Sequence, residues 1–287
     1  MYQSVNPAMP SEPGTLYVVA TPIGNLGDMS ARAREILAEV DQVLAEDTRA
    51  SRRLLAYFGI EARLSALHEH NEAQRVAQCL ERLREGRDLA LICDAGTPLV
   101  NDPGYRLVAA AHAAGVRVSP APGPCSPIAA LSVSGLPTDR FVYEGFLPAK
   151  AKARLDRLQA LAREPRTLIF LESSHRIGDT LRALAEVWPE RALVLAKELT
   201  KVHEAVISGA ARQILDWLDA DPMLVKGEFV LLAAGAEDAP EPVEGVDVEI
   251  LLQALSEELS PAKAAKVAAK VTGLDRKTLY RRVSLGH

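Results

Sequence analysis

Three Gly- and Pro-rich stretches hold the residues best suited to grip a small ligand: TPIGNLGD at 21–28, DAGTPLVNDPG at 94–104 and PAPGPCSP at 120–127. Gly and Pro there free backbone N–H and C=O groups to line a cleft, where a plain connector needs only a tight turn. Neither GxGxxG nor GxxxxGK[ST] occurs, so the dinucleotide and nucleoside-triphosphate fingerprints are unmet and a phosphate cradle is disfavoured. The second stretch is too long and polar for a mere connector. Its Asp94 can accept bonds from an ammonium, lie near a sulfonium charge, or cap local backbone N–H groups. Ser126, in the third, is placed to cap the helix that follows. A charged pair, Lys197-Glu198, closes the apolar run LVLA, and buried charges need partners, an inter-domain ion pair among them.

Elements that could position these residues are legible along the first half of the chain. Strands are expected at Leu16 to Ala20, Gln42 to Ala45, Arg63 to Ala66, Leu89 to Cys93 and Val116 to Ser119, each leading into a helix-like segment. That alternation predicts βα units and a mostly parallel sheet, in which ligands settle beyond the carboxyl ends of the strands. Ser30 should cap ARAREILAEV, where Ala33, Ile36, Leu37 and Val40 share one face. After Leu136-Pro137-Thr138-Asp139 the pattern restarts with FVYEGF, a Lys-rich helix, TLIFLE, a helix from about His175, LVLAKEL and EFVLLAAG. The fold class is therefore α/β, with two α/β domains at 1–137 and 138–235 and a mixed second sheet. Residues 236–247 read as a Pro-rich acidic linker, and 248–287 as a basic helical module resembling a helix-turn-helix. Its helices are expected at Glu249 to Glu258, Pro261 to Val271 and Arg276 to Val283.

A chain of 287 residues with 48% hydrophobic and 25% charged residues can bury about two cores. No run approaches ~18 apolar residues, and the first fourteen residues lack an export signal, so a cytoplasmic address is expected. Cys79, Cys93 and Cys125 form no CxxC pair, which argues against a disulfide framework or a zinc site and for buried apolar packing. The net charge of -5 is uneven. From Pro261 to His287 seven Lys and Arg face one acid, giving +6, so residues 1–260 carry -11.

Taken in order, TPIGNLGD, AEDTR at 45–49, HEHNE at 68–72, DAGTPLVNDPG, PGPCSPIAAL at 122–131, FLESSHR at 170–176, AKELTKVHE at 196–204 and KGEFVLL at 226–232 resemble the ribosomal RNA small-subunit methyltransferase I family, of the tetrapyrrole-methylase fold class. The resemblance runs from about Gly14 to Gly235 and extends into the helical module. It implies an S-adenosylmethionine-dependent enzyme that methylates the ribose 2′-hydroxyl of a cytidine in the decoding region of 16S rRNA in the small subunit, and a homodimer. It also implies a cofactor folded between the two domains, touched by Pro22, Gly24, Asn25, Asp94, Ala95, Gly96, Thr97, Pro98, Cys125, Ser126, Leu171, Ala196, Leu199, Gly227 and Phe229. The cofactor has an ammonium, a carboxylate, an adenine and a sulfonium but no phosphate, which suits loops rich in Gly, Pro and Ala.

Methyl transfer to a ribose oxygen needs in-line alignment and a base for the hydroxyl proton. No spacing rule singles one out among Glu46, Asp47, His68, Glu69, Lys197 and Glu198; Lys197, Glu198, Asp47 and Glu69 are taken as catalytic. His68 and His70 fall on one side of an extended segment, as zinc ligands would, yet lack a third ligand, so they are assigned to RNA and no metal is expected. Arg49, Arg52 and Arg53 suit phosphates or a solvated helix face. Lys263, Lys266 and Lys270 recur at i, i+3 and i+7 on one helix face, with Arg276, Lys277, Arg281 and Arg282 on the next helix, as a phosphate clamp would require. An aromatic content of 5% and an acidic body are unlike a general RNA binder and suit recognition of a shaped assembly. Two other readings are a methylase of a small tetrapyrrole precursor, which needs no basic tail, and a non-catalytic ribosome-assembly factor.

Overall fold

Strand and helix alternate through the first half of the chain in the computed structural model, which describes residues 12–68, 70–236 and 247–285. The elements are β1 (Thr15–Val19), α1 (Ala31–Glu39), β2 (Gln42–Ala45), α2 (Thr48–Tyr57), β3 (Leu64–Ala66), α3 (Glu72–Arg84), β4 (Leu89–Ile92), α4 (Tyr105–Ala113), β5 (Arg117–Ala121) and α5 (Ser126–Val133). The strands form a parallel sheet in the order β3-β2-β4-β1-β5, with Leu16 opposite Leu89 and Val43 opposite Ala90. Side chains alternate across it. Leu16, Leu44, Leu89 and Leu91 pack with Cys79 and Leu83 of α3 and Leu107 of α4. Val19, Val43, Ala45, Ala90 and Ile92 pack on the other face with Ile36 and Leu37 of α1 and Leu55 of α2. A sheet covered on both faces explains why every residue of β2 and β4 is buried and why β4 reads as an unbroken apolar run.

Ser30 caps α1 as its sequence context suggests, accepting from Ala33 N at 3.1 Å. Ser126 does not cap α5: Cys125 occupies the cap position and Ser126 is the first helical residue, followed by Pro127, which needs no N–H partner there. Cys125 is half-exposed, unlike buried Cys79 and Cys93. β5 extends two residues beyond its expected end, through Pro120, which an edge strand tolerates.

The second half builds β6 (Phe141–Phe146), α6 (Ala151–Ala160), β7 (Thr167–Ser173), α7 (Ile177–Val187), β8 (Leu193–Lys197), β9 (Ala205–Gly209), α8 (Ala211–Asp219) and β10 (Glu228–Ala233). Its sheet order is β6-β7-β10-β8-β9. The compact units are not contiguous in sequence. The stretch ending at Ser134 takes in Ala196–Val206 and Gly227–Val230, while Gly135–Leu195, Ile207–Lys226 and the stretch from Leu231 on make the other unit.

Three helices end the chain: α9 (Val248–Glu258), α10 (Pro261–Thr272) and α11 (Arg276–Leu285). Leu252, Ala265, Ala268, Ala269, Leu279 and Val283 form their common core. Gly273, at φ 70°, ends α10 in the left-handed region that favours glycine, and the Asp275 carboxylate accepts from Thr278 N at 2.8 Å to start α11. Most of the linker expected at 236–247 lies outside the described residues. No helix among the described residues is long and apolar enough to cross a membrane.

Candidate active site

β1 and β4 are neighbours, yet β1 leads to α1 on one face of the first sheet and β4 leads to α4 on the other. Loops that part in this way leave a crevice at the carboxyl ends of the strands. Both ligand-gripping loops lie there. Thr21 N donates to Gly96 O at 2.8 Å and Gly96 N returns a bond to Thr21 O at 3.1 Å. The Thr21 hydroxyl donates to Cys93 O at 3.2 Å. The third loop joins through the Thr97 hydroxyl, which donates to Pro124 O at 2.9 Å. Gly96 has φ 89°, and a Cβ there would sit 3.3 Å from Ile23 Cγ2.

Residues 196–201 and 227–229 belong to the same unit. A Cβ on Gly24 would lie 2.8 Å from Thr200 Oγ1 and 3.0 Å from Leu199 O, so the TPIGN turn sits directly on this segment. Glu198 N donates to Glu228 O, and Glu228 N donates to Glu198 Oε1, both at 2.9 Å. Glu198 and Thr200 adopt φ 49° and 65°, a conformation non-glycine residues hold only when their surroundings enforce it. Thr200 Oγ1 is buried without a partner among the described residues.

Of the residues named for the cofactor, all but Leu171 fall in this unit; Leu171 lies in β7 of the other. Gly24, Asn25, Asp94 and Ala95 are exposed, whereas Pro22, Gly96, Pro98, Ala196 and Phe229 are buried and shape the surface from behind. Thr97, Cys125, Ser126, Leu199 and Gly227 are half-buried. The Asn25 Oδ1 accepts from Gly27 N at 2.9 Å.

The charged candidates differ sharply. Asp47 caps α2, accepting from Arg49 N at 2.7 Å, and that bond together with the Arg49 guanidinium holds its carboxyl below the ordinary range. Burial would push the Glu198 carboxyl up, but Lys201 at 2.9 Å, the Glu228 N–H and the charge of Lys197 outweigh it and leave it lowered. Both are acceptors already in use. Glu46, by contrast, is raised, first by burial and then by the charges of Asp102 and Asp94. Asp102 is raised by burial and by Asp94. Lys197 is 5% exposed, and its charge acts on the neighbouring Glu198 carboxylate. Glu69 lies outside the described residues.

His68 and His70 do not lie on an extended strand: His68 O accepts from Asn71 N and Glu72 N in a turn that enters α3. Their rings stand 6.1 Å apart, and no metal-holding group of three His, Cys, Asp or Glu exists among the described residues. Arg49 and Arg52 are exposed on α2. Lys263, Lys266 and Lys270 are exposed on α10 opposite buried Ala264, Ala265, Ala268 and Ala269. Arg276, Arg281 and Arg282 are exposed on α11, which also carries Lys277. Sequence reasoning passed over Thr21, Thr200 and Lys201; the i, i+3 spacing of Glu198 and Lys201 was the available signal for the last.

A switch-point crevice floored by a parallel sheet is a general ligand site of open α/β folds, and the match of residues 15–215 to the model of the Tetrapyrrole (Corrin/Porphyrin) Methylases assigns the class. Residues 242–284 match the RsmI C-terminal HTH domain. The chain is 54% identical to the ribosomal RNA small subunit methyltransferase I of Xylella fastidiosa (strain Temecula1), across 94% of this chain and 99% of that protein. It is 51% identical to the protein of the same name from Escherichia coli O157:H7, across 93% and 94%. It therefore belongs to the ribosomal RNA small subunit methyltransferase I family, a family of methyltransferases. Among solved structures, uroporphyrin-III C-methyltransferase from Thermus thermophilus complexed with S-adenosylhomocysteine is similar in fold, with a TM-score of 0.52 and 20% identity, over 78% of this chain and 98% of that one.

Proposed function

We propose that the chain transfers a methyl group from S-adenosylmethionine to the ribose 2′-hydroxyl of a cytidine in the decoding region of 16S rRNA, acting in the cytoplasm on small ribosomal subunits as a homodimer. The observation that carries this reading is the joining of the Thr21, Gly96 and Pro124 loops and the 199–201 segment into one surface with no phosphate-binding glycine loop. The residues fit the cofactor. Glycines keep the surface open at Gly24 and Gly96, and the orphaned Thr200 hydroxyl offers a donor and acceptor to a polar ligand. When bound, S-adenosylmethionine supplies an electrophilic methyl group on a sulfonium.

Lys197 is assigned to the attacking hydroxyl: its side chain, at the end of β8 beside Glu198, would hold a substrate oxygen in line. Glu198 is assigned to positioning, since its carboxylate fixes the Gly227-Glu228 turn and Lys201. Asp47 sets the start of α2, and Glu69 is assigned as the base that takes the 2′-hydroxyl proton as the methyl group leaves the sulfonium. The basic faces of α10 and α11 hold rRNA phosphates, and Arg49, Arg52, His68 and His70 contribute from the first unit. The test is to incubate the protein with S-adenosylmethionine and undermethylated small subunits and to map the product by mass spectrometry. Absence of a 2′-O-methylcytidine in the decoding region would sink the reading.

A further inference from the structure

A second polar pocket, of about 340 Å³, opens beside the cofactor loops and is lined by Glu46, Glu72, Asn101, Asp102, Tyr105 and Arg106, with Pro103 and Gly104. Glu46 follows β2, Asp102 lies in the loop after the adjacent strand β4, and Tyr105 opens α4. Asp94, of the cofactor loop, accepts from Asp47 N at 3.1 Å, which ties the two loops together at this point.

We propose that this pocket receives the base of the target nucleotide, turned out of its stack, with the Tyr105 ring as its stacking surface and Glu46 accepting from its exocyclic amino group. The inference rests on the rRNA methyl transfer proposed above and adds the subsite that selects the nucleotide.

Three carboxylates against the single cation Arg106 make the pocket a poor phosphate site. A helix N-terminus attracts anions, but the start of α4 is already filled: Glu72, 6% exposed, accepts from Arg106 N at 2.8 Å and Leu107 N at 3.2 Å. Glu46 and Asp102 add two further carboxyls, each driven toward protonation by burial and neighbouring acids. A ligand that brings hydrogen-bond donors relieves that repulsion. Among the described residues no group of three His, Cys, Asp or Glu is placed to hold a metal ion. Tyr105 is 74% exposed, so a planar group can cover its ring. A carboxylate accepting from the amino group of cytosine is a standard recognition pair, and enzymes that modify single nucleotides hold extruded bases by stacking and edge bonds. The loop is also held in an unusual shape, with Leu99 at φ 73° and Asn101 at φ 71°, as is common where a ligand is clamped.

The test uses undermethylated small subunits reconstituted with cytidine or uridine at the methylated position, assayed for transfer and, with S-adenosylhomocysteine present, for binding. Tyr105→Ala should raise KM for subunits roughly tenfold, the order expected for a lost base stack, and leave cofactor affinity unchanged, while Tyr105→Phe stays near wild type. Wild type should prefer cytidine by about tenfold or more. Glu46→Gln should erase or invert that preference, because its amide can donate to the uridine O4. Transfer with KM and base preference within twofold of wild type in both Tyr105→Ala and Glu46→Gln overturns the pocket alone. Absent transfer with base-selective binding that the variants lose keeps the pocket and sinks the methyl-transfer reading; no selectivity in either assay sinks both. Activity lost in EDTA and restored by Mg²⁺, with base preference unmoved by Glu46→Gln, would assign the pocket to a cation and overturn the proposal.

Discussion

The crevice at β1 and β4 and the helical module at the C-terminus solve opposite problems. In the crevice, backbone bonds between Thr21 and Gly96, glycines that admit close approach and held φ angles at Glu198 and Thr200 give shape. In the module, an alanine-lined core lets α10 and α11 pack closely and turns basic side chains outward. A group that must be aligned for chemistry is held by geometry, which salt does not screen. A large polyanion can be held by charge, which salt screens strongly.

Removing residues 248–287 is the broadest way to break this contrast. Affinity for small subunits should fall roughly a hundredfold at moderate salt and its salt dependence should flatten, while S-adenosylmethionine binding stays intact. An unchanged salt slope in a truncated protein that still binds the cofactor would show that the module is no anchor. Next in size, Gly96→Val places a branched side chain at φ 89° against Ile23. Calorimetry should show cofactor affinity lowered by about tenfold or more, with subunit binding retained. Lys197→Ala should cut kcat by roughly tenfold, the worth of one hydrogen bond from a charged group, with cofactor affinity unaltered. Loss of cofactor binding instead would move Lys197 from the reacting hydroxyl to the wall of the cofactor site.

The smallest effect sharpens the comparison within the crevice, between Glu46 and its neighbour Asp47. The folded-state pKa of Glu46 is raised above its ordinary 4.5, so the native state holds its proton to higher pH than the unfolded chain does. Its contribution to stability is therefore lost as pH rises through that window. Glu46→Gln should raise Tm slightly at neutral pH, and the gain should vanish below pH 4.5. Asp47 is lowered, so Asp47→Asn should lose stability at neutral pH and converge with wild type in acid. Thermal scans from acid to neutral pH decide both, and parallel curves would contradict the assigned environments.

The positions of the first five strands, the Ser30 cap and the three C-terminal helices were legible in the sequence, because apolar runs, N-cap chemistry and Pro or Gly punctuation are local signals. The five-residue edge strand β9 and the helix α8 were not anticipated, since β9 is half exposed and has no apolar run to betray it. The loops that carry the candidate site were also readable as motifs, and their order along the chain sufficed to name a family. Which carboxylates remain available was not. Asp47 and Glu46 are adjacent in sequence, yet one is tied to a helix start and the other is half-buried in a pocket it shares with Asp102, fifty-six positions on. Desolvation and charge coupling depend on distances set by strand order, and β2 lies beside β4 only because the chain crosses the sheet to put it there.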